Sequence, residues 1–167
     1  MRRSKQVRFF GGSMALAFSL AGSFALPGVP RDRSSELQID LSERVMRVVE
    51  GGEEVRRYEV AVGSRKHPTP RGTFRTGRIV WNPGWVPPDS DWARDEKPRP
   101  PGDPKNPMRG VKIYFREPAY YIHGTNAPGS IGQAASHGCI RMRESDAVKL
   151  GRWIEAKGGS VRLVIKG

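Results

Sequence analysis

Alternating apolar and polar residues predict that the first half of this chain forms short β-strands. The run 36–41 alternates strictly, and Arg44 to Glu50 is a second β-rich run. Gly51-Gly52 is a turn signal, and it precedes a third run from Val55 to Val62. We expect these three runs to form an antiparallel meander.

The second half predicts further strands and one short helix. Ser145-Asp146 is typical of a helix cap, and the helix is expected to run to about Lys157, where Gly158-Gly159 ends it. Three apolar residues fall on one face of that helix: Ala147, Leu150 and Ile154. The predicted strands are Arg78 to Trp81, Val111 to Phe115, Ala119 to Ile122 and Val161 to Ile165. The predicted fold class is therefore mainly β.

Between the predicted strands lies a long segment, 63–108, that is rich in turn formers. Residues 89–108 carry five prolines and many charges without periodicity. Such a stretch is either disordered or a functional lid over a site. The tryptophans Trp81, Trp85 and Trp92 favour a lid, because disordered segments are usually poor in aromatic residues.

The first twenty-five residues have the three-part layout of a secretory signal peptide. Four basic residues open the chain, and Phe9 to Phe24 is apolar or small apart from isolated serines. Ser23 and Ala25 provide small residues at a possible cleavage site. The apolar stretch is short for a membrane span, so an uncleaved anchor is the weaker alternative. We expect export to the periplasm or cell wall, a linker at 26–35 and one domain at 36–166.

Composition and charge narrow the environment of this domain. The 167 residues suffice for one domain with a hydrophobic core, and the 20 glycines and 14 prolines favour strands joined by turns. The net charge is +12, and the predicted signal peptide holds four basic and no acidic residues, which leaves +8. That charge suits a polyanionic cell wall or anionic membrane, although it can also serve solubility alone. No basic cluster interleaved with aromatics favours nucleic-acid binding.

The only cysteine, Cys139, lies in a segment that also contains two of the three histidines. A thiol is nucleophilic as thiolate, and a neighbouring imidazole can take its proton and return one to a leaving amine. His137 and His123 are both candidates for this base. An extended segment would put His137 on the same face as Cys139, whereas a tight turn after a strand would bring His123 to it. We favour His123.

Residues flanking the thiol suggest further roles. A glycine at Gly138 allows close backbone approach, so the N–H groups of Gly138 and Cys139 are expected to face a developing oxyanion. Arg141 lies two residues beyond the cysteine, so on an extended strand it faces the same side and can hold a substrate carboxylate.

Structural roles without catalysis are the alternatives for several of these residues. A lone cysteine is most often an inert core residue. A zinc site made of His123, His137 and Cys139 fits by ligand type, but the usual zinc-binding spacings are missing. His67 is expected to be solvated in its loop. Trp85 is either a core aromatic or a substrate contact.

Three motifs together resemble the L,D-transpeptidase catalytic domain family (YkuD-type), in its periplasmic peptidoglycan-modifying branch. They are His123-Gly124-Thr125-Asn126, Ser130-Ile131-Gly132 and Ser136-His137-Gly138-Cys139-Ile140-Arg141-Met142. Upstream, Thr69-Pro70-x-Gly72-x-Phe74 and Asn82-Pro83-x-Trp85-x-Pro87-Pro88 are also similar to family segments. The resemblance extends over about residues 36 to 166.

This resemblance implies a sandwich-like β fold with the site in a groove under a lid, and a cysteine enzyme acting on peptidoglycan stem peptides without a cofactor. The thiol would attack the bond between the diamino acid and D-Ala, release D-Ala and transfer the acyl group to an amine. That amine could be a diaminopimelate side chain, a lysine of a wall-anchored lipoprotein or a D-amino acid. Carbapenems are the implied covalent inhibitors. An L,D-carboxypeptidase that uses water, or a non-catalytic wall-binding domain, is the alternative.

The resemblance also assigns roles residue by residue. His123 would be the base, with the Gly124 carbonyl orienting its other ring nitrogen, and His137 would lie near the oxyanion hole with Gly138. The implied substrate contacts are Arg141, Ser136, Trp85 and Tyr121.

Overall fold

The structure, a computed structural model, describes residues 34–167; the predicted signal peptide and most of the predicted linker lie outside them. Eleven strands and one α-helix form in this range. The strands are β1 (Ser35–Asp40), β2 (Val45–Glu50), β3 (Glu53–Glu59), β4 (Val62–Gly63), β5 (Gly72–Arg75), β6 (Ile79–Trp81), β7 (Arg109–Arg116), β8 (Tyr120–Gly124), β9 (Ala134–Ser136), β10 (Ile140–Met142) and β11 (Arg162–Lys166), and the helix is α1 (Glu144–Ala156). The mainly β fold with one helix is as predicted.

The strands form two larger sheets and one small one. The first sheet has the order β3-β2-β1-β11-β5, and its members β1 to β3 make the predicted antiparallel meander. The last strand, β11, pairs in parallel with β1 and antiparallel with β5, a strand that the turn-rich sequence around it concealed. The second sheet has the order β10-β8-β7-β6, and β4 pairs with β9.

One hydrophobic core unites the two larger sheets and the helix. Residues with no exposed surface come from β1, from β7, β8 and β10, and from α1: Leu37, Ile39, Ile113, Ile122, Ile140, Leu150 and Ile154. Full burial of each such side chain stabilises the fold by about 2 kcal/mol. The second sheet therefore has one apolar face on this core, and its opposite face is free to carry polar residues.

The helix differs from its prediction at the N-terminus. Arg143 occupies the cap position without a side-chain hydrogen bond, and Ser145 and Asp146 lie inside the first turn, so the predicted cap is wrong. Glu144 and Asp146 place negative charge in that turn, which the helix dipole favours. The helix ends before Gly158, as predicted. Within residues 34–167, no helix is long and apolar enough to cross a membrane.

Candidate active site

The polar face of the second sheet carries the charged and ionisable side chains of the candidate site. Successive side chains of a strand point to opposite faces, so the neighbours of buried residues project away from the core. Val111 and Ile113 of β7, Ile122 of β8 and Ile140 and Met142 of β10 are all fully buried. The side chains on the opposite face are Lys112, Tyr114, Tyr121, His123 and Arg141.

Strand register arranges this face into two rows. His123 is paired with Arg141 of β10 on one side and with Lys112 of β7 on the other. In the next row Tyr121 is paired with Tyr114. Cys139 immediately precedes β10 and interacts with the Tyr121 side chain, so the thiol occupies the β10 end of that second row. The imidazole is thus flanked by two cations, and the thiol lies diagonally from it.

His123 is held as a neutral base. The ring is 2% exposed, and Nδ1–H donates to the Gly124 carbonyl at 2.8 Å, which leaves the lone pair on Nε2. Burial lowers the pKa of His123 to about 4, with the charges of Arg141 and Lys112 acting in the same direction and the carbonyls of Gly124 and Pro107 opposing it. The ring is therefore unprotonated at neutral pH.

Gly124, whose carbonyl orients the imidazole, lies at a position where no side chain fits. A Cβ on Gly124 would lie 2.4 Å from the backbone oxygen of Arg109 on β7. Glycine here lets β7 and β8 approach closely, and it thereby fixes the carbonyl that orients the imidazole.

Cys139 is a partly buried thiol whose S–H donates to the Ala119 carbonyl at 3.5 Å. Burial raises the pKa of Cys139, and hydrogen bonds from Tyr121 and the charges of Lys112 and Arg141 oppose that rise. Because the imidazole and the thiol both favour their neutral forms, the site rests as a neutral pair and not as an ion pair. Nucleophilic attack by such a thiol would require its proton to leave as the new bond forms.

The turn before Cys139 is fixed by hydrogen bonds within the chain. Gly138 has a φ of +105°, and a Cβ there would lie 2.8 Å from the Tyr120 ring, so this position requires glycine. The Ser136 hydroxyl donates to the Cys139 carbonyl at 2.6 Å and accepts from the Gly138 N–H at 3.0 Å. On the other side, Thr69 is buried and donates to the Gly138 carbonyl at 2.9 Å.

These bonds bear on two expectations. Ser136 is 2% exposed and its hydroxyl is engaged by the backbone, so in this structure it positions the turn. It also lines the cavity, and its expected contact with substrate stays a prediction. The Gly138 N–H is donated to Ser136, which narrows the expected pair of oxyanion donors to the Cys139 N–H. The positive φ of Gly138 also shows that the segment from His137 to Cys139 is not extended, so the argument that these two side chains share a strand face does not apply.

A long loop closes over the polar face and forms a cavity of about 650 Å³. Trp85 and Arg99 exchange two backbone hydrogen bonds of 2.8 Å, and we call residues 86–98, which they enclose, the lid loop. Asn106 is fully buried; its amide donates to the carbonyls of Pro83 and Pro100, and its oxygen accepts from the Met108 N–H. The lid expected at 89–108 is therefore found over the cavity with different bounds, since the loop that closes on itself is 86–98.

The lid loop reaches across to the turn that carries the cysteine. The rings of Trp92 and His137 stack with centroids 3.9 Å apart and planes 8° from parallel. The His67 ring lies 4.8 Å from the His137 ring, so His67 is part of this contact and is not simply solvated as expected. Burial, followed by the charges of His67 and Arg141, lowers the pKa of His137. His137 is exposed and supports the lid on the cavity wall.

The remaining predicted residues also line this cavity. Arg141 contacts it from the β10 side, and its backbone exchanges hydrogen bonds of 2.9 Å with Ala61. Burial lowers the pKa of Arg141, while the neighbouring Cys139 opposes that change. Trp85 is only 7% exposed and belongs to the base of the lid. Burial and the adjacent thiol raise the pKa of Tyr121.

Sequence reasoning missed Lys112 and the role of Thr69. Lys112 lay in a predicted strand as a polar residue between Val111 and Ile113, which signals an outward position but not its neighbours. Thr69 belongs to the Thr-Pro segment that supported the resemblance, and its place in that segment was the available signal; its burial is visible only in the structure.

A mainly β domain with a cysteine and a neutral histidine in a lidded groove defines a class, the L,D-transpeptidase catalytic domains. The L,D-transpeptidase from Mycobacterium smegmatis shares the fold with a TM-score of 0.60 at 23% identity, over 80% of this chain and 59% of that one. L,D-transpeptidase 3 from Mycobacterium tuberculosis, in complex with a faropenem-derived adduct, also gives 0.60, at 16% identity over 80% and 60% of the two chains. The chain thus spans about three fifths of these solved structures.

Sequence comparison gives the family itself. Residues 34–163 match the family model YkuD, described as the L,D-transpeptidase catalytic domain. A relative from Bacillus licheniformis, named "Putative L,D-transpeptidase YkuD", is 32% identical over 134 residues, which cover 79% of this chain and 68% of the relative. The chain belongs to the YkuD family of L,D-transpeptidase catalytic domains.

Proposed function

We propose that this chain is a peptidoglycan L,D-transpeptidase that uses Cys139 as its nucleophile. The observation that carries the proposal is the buried His123, neutral at physiological pH, whose Nδ1–H donates to the Gly124 carbonyl, so that Nε2 is the unprotonated nitrogen, on the same sheet face as the thiol. A neutral imidazole can accept the thiol proton as the attack occurs. Membership of the YkuD family supports the same chemistry.

Acylation would proceed as follows. Sγ of Cys139 bonds to the carbonyl carbon of the diamino acid, and the thiol proton passes to Nε2 of His123. The Cys139 N–H stabilises the developing oxyanion, a contribution of about 3 kcal/mol for one donor. The bond to the D-Ala nitrogen then breaks, and the imidazolium returns the proton to the departing amine. The products are free D-Ala and a thioester.

Deacylation reverses these roles. The amine of an acceptor attacks the thioester carbonyl, His123 takes the amine proton, and the C–S bond breaks as the thiol regains that proton. The acceptor would be a diaminopimelate side chain, a lipoprotein lysine or a D-amino acid. Water in its place would make the enzyme an L,D-carboxypeptidase. Arg141, whose side chain forms no ion pair within residues 34–167, is suited to hold a substrate carboxylate.

The decisive experiment is product analysis with a disaccharide-tetrapeptide, with and without an added amine. Mass spectrometry should detect D-Ala release together with an acceptor-linked product. Cys139→Ala should abolish both, and a wild-type chain that releases D-Ala only to water would replace transpeptidation with the carboxypeptidase. A non-catalytic wall-binding domain would bind the peptide and release nothing.

Two further parts of the proposal have independent tests. A carbapenem or penem should acylate Cys139 and raise the intact mass by one inhibitor, as expected from the relative that carries a faropenem-derived adduct; Cys139→Ala should stay unmodified. Export to the periplasm or cell wall rests on the pattern of residues 1–25. Fractionation of cells expressing the chain, with and without these residues, tests it.

A further inference from the structure

Lys112 has an unusual environment for a lysine at the polar face of a sheet. Its Nζ lies 4.1 Å from the centroid of the Tyr121 ring and 4.7 Å from that of Tyr114. These two rings are themselves packed edge to face at 5.4 Å. Cation–π attraction of this kind is worth about 1 kcal/mol per ring when partly desolvated. The ammonium is therefore held in place, in contrast to the mobile head of a typical surface lysine.

The same ammonium has hydrogen-bonding capacity left over. It carries three N–H donors, and the two aromatic faces accept none of them as a conventional hydrogen bond. Among residues 34–167, no carboxylate forms an ion pair with Lys112 and no oxygen accepts a hydrogen bond from it. Lys112 lines the cavity above Cys139, so these donors face the space in which a substrate would lie.

Lys112 is placed symmetrically to Arg141. Each is the strand neighbour of His123, Arg141 on β10 and Lys112 on β7, so the two backbones lie roughly 10 Å apart across two strand spacings. Both are cations without an anionic partner in the described part of the chain. Two such cations on opposite sides of the base match a substrate with two carboxylates.

We propose that Lys112, held between Tyr114 and Tyr121, is a second carboxylate-binding residue of the cavity, which acts together with Arg141 to orient the donor peptide across Cys139. The inference rests on the proposed function, since a stem tetrapeptide whose diamino acid is diaminopimelate carries a carboxylate on its terminal D-Ala and another on the side chain of that diamino acid. Lys112 binds one of the two, and Arg141 the other. The donor is thereby fixed on both sides of the scissile bond.

Binding to an inactive chain tests this directly. In the Cys139→Ala background, the dissociation constant of a disaccharide-tetrapeptide is measured by titration calorimetry for Lys112, Lys112→Gln and Lys112→Arg chains. Loss of a charge-assisted contact should raise the Kd about tenfold or more for Lys112→Gln. Lys112→Arg should keep most of the affinity. The control Lys149→Gln removes an equal charge from an exposed site on α1 and should not change the Kd.

Two amidated probes identify the carboxylate. One probe carries an amide on the diamino acid side chain, and the other on the terminal D-Ala. The penalty of Lys112→Gln should vanish with one probe and persist with the other, and the probe that removes it names the group that Lys112 binds. An equal penalty with both probes, or no penalty with the free peptide, would overturn the inference.

Folding and activity controls keep the result interpretable. Circular dichroism and thermal unfolding report whether Lys112→Gln is folded, and Lys112→Met, which retains the aliphatic stem between the rings, provides a second uncharged variant. Absence of D-Ala release by the unmodified chain would defeat the proposed function. That failure is distinct, because the Kd comparison uses the inactive background and does not depend on turnover.

Discussion

The burial of a neutral imidazole predicts a pH dependence of stability that can be assigned to one residue. The pKa of His123 falls from 6.5 to about 4 on folding, chiefly because burial disfavours the charged ring. At 1.36 kcal/mol per pKa unit, this displacement corresponds to roughly 3 kcal/mol. The perturbation is His123→Gln, which removes the titrating group and leaves the other ionisable residues in place.

The direction follows from proton binding. Above pH 6.5 the ring is neutral in the folded and unfolded chains, so it makes no contribution to the pH dependence. Between pH 6.5 and about 4, the unfolded chain binds a proton that the folded protein excludes, so the free energy of unfolding falls as the pH falls. Below about pH 4 the full decrease of roughly 3 kcal/mol is present.

Urea unfolding at half-unit steps from pH 7.5 to 4 measures this effect. Wild type and His123→Gln share the contributions of their carboxylates and of the other histidines, so the difference between the two curves isolates His123. The free energy of unfolding of the wild type minus that of His123→Gln should fall steadily below pH 6.5, because only the wild type loses stability through the ring. Parallel curves over the whole range would refute the inference that the folded site excludes the proton.

Three further predictions concern the lid, the thiol and the strand contact. Asn106→Ala should lower the free energy of unfolding by about 2 kcal/mol because buried carbonyls lose their donor; Asn126→Ala, which removes one exposed bond of 3.4 Å, should change it little in the same denaturation assay. Alkylation of Cys139 by iodoacetamide should be half-maximal at a higher pH than alkylation of free cysteine, because burial raises the pKa of the thiol; a midpoint at or below that of free cysteine would contradict this. Gly124→Ala should cost about 3 kcal/mol in chemical denaturation, since its Cβ would collide with the Arg109 carbonyl, and an unchanged midpoint would count against the crowding argument.

Local pattern predicted most of the strands, because alternation reports which residues face the core. It did not predict the parallel pairing of β1 with β11, since periodicity within a strand says nothing about its neighbours in the sheet. It also missed β5, whose four residues follow a run of turn formers. The helix was placed within a residue or two, but its cap was wrong because Arg143 begins it without a capping side chain.

The candidate site was predicted in part for the same reason. Cys139 and His123 stand in a dense motif with glycine neighbours, so the residue types alone suggested a nucleophile and a base. Lys112 joins them only through the register of β7 with β8, which is a long-range property. The hydrogen bonds of the Ser136 hydroxyl depend on the positive φ of Gly138. The sequence interpretation assumed an extended segment, so it could not predict them.

The paired backbone bonds of Trp85 and Arg99 have a consequence for the divergence of this chain. They close the lid loop on itself, so residues 86–98 can change in length or composition without altering the second sheet, which carries His123 and leads into the turn of Cys139. The entropic penalty of lengthening such a loop grows slowly, by about 0.6 kcal/mol for each doubling. Under the proposed function, selection can therefore remodel the surface over the cavity while Cys139 and His123 stay fixed, and substrate range can evolve separately from the chemistry.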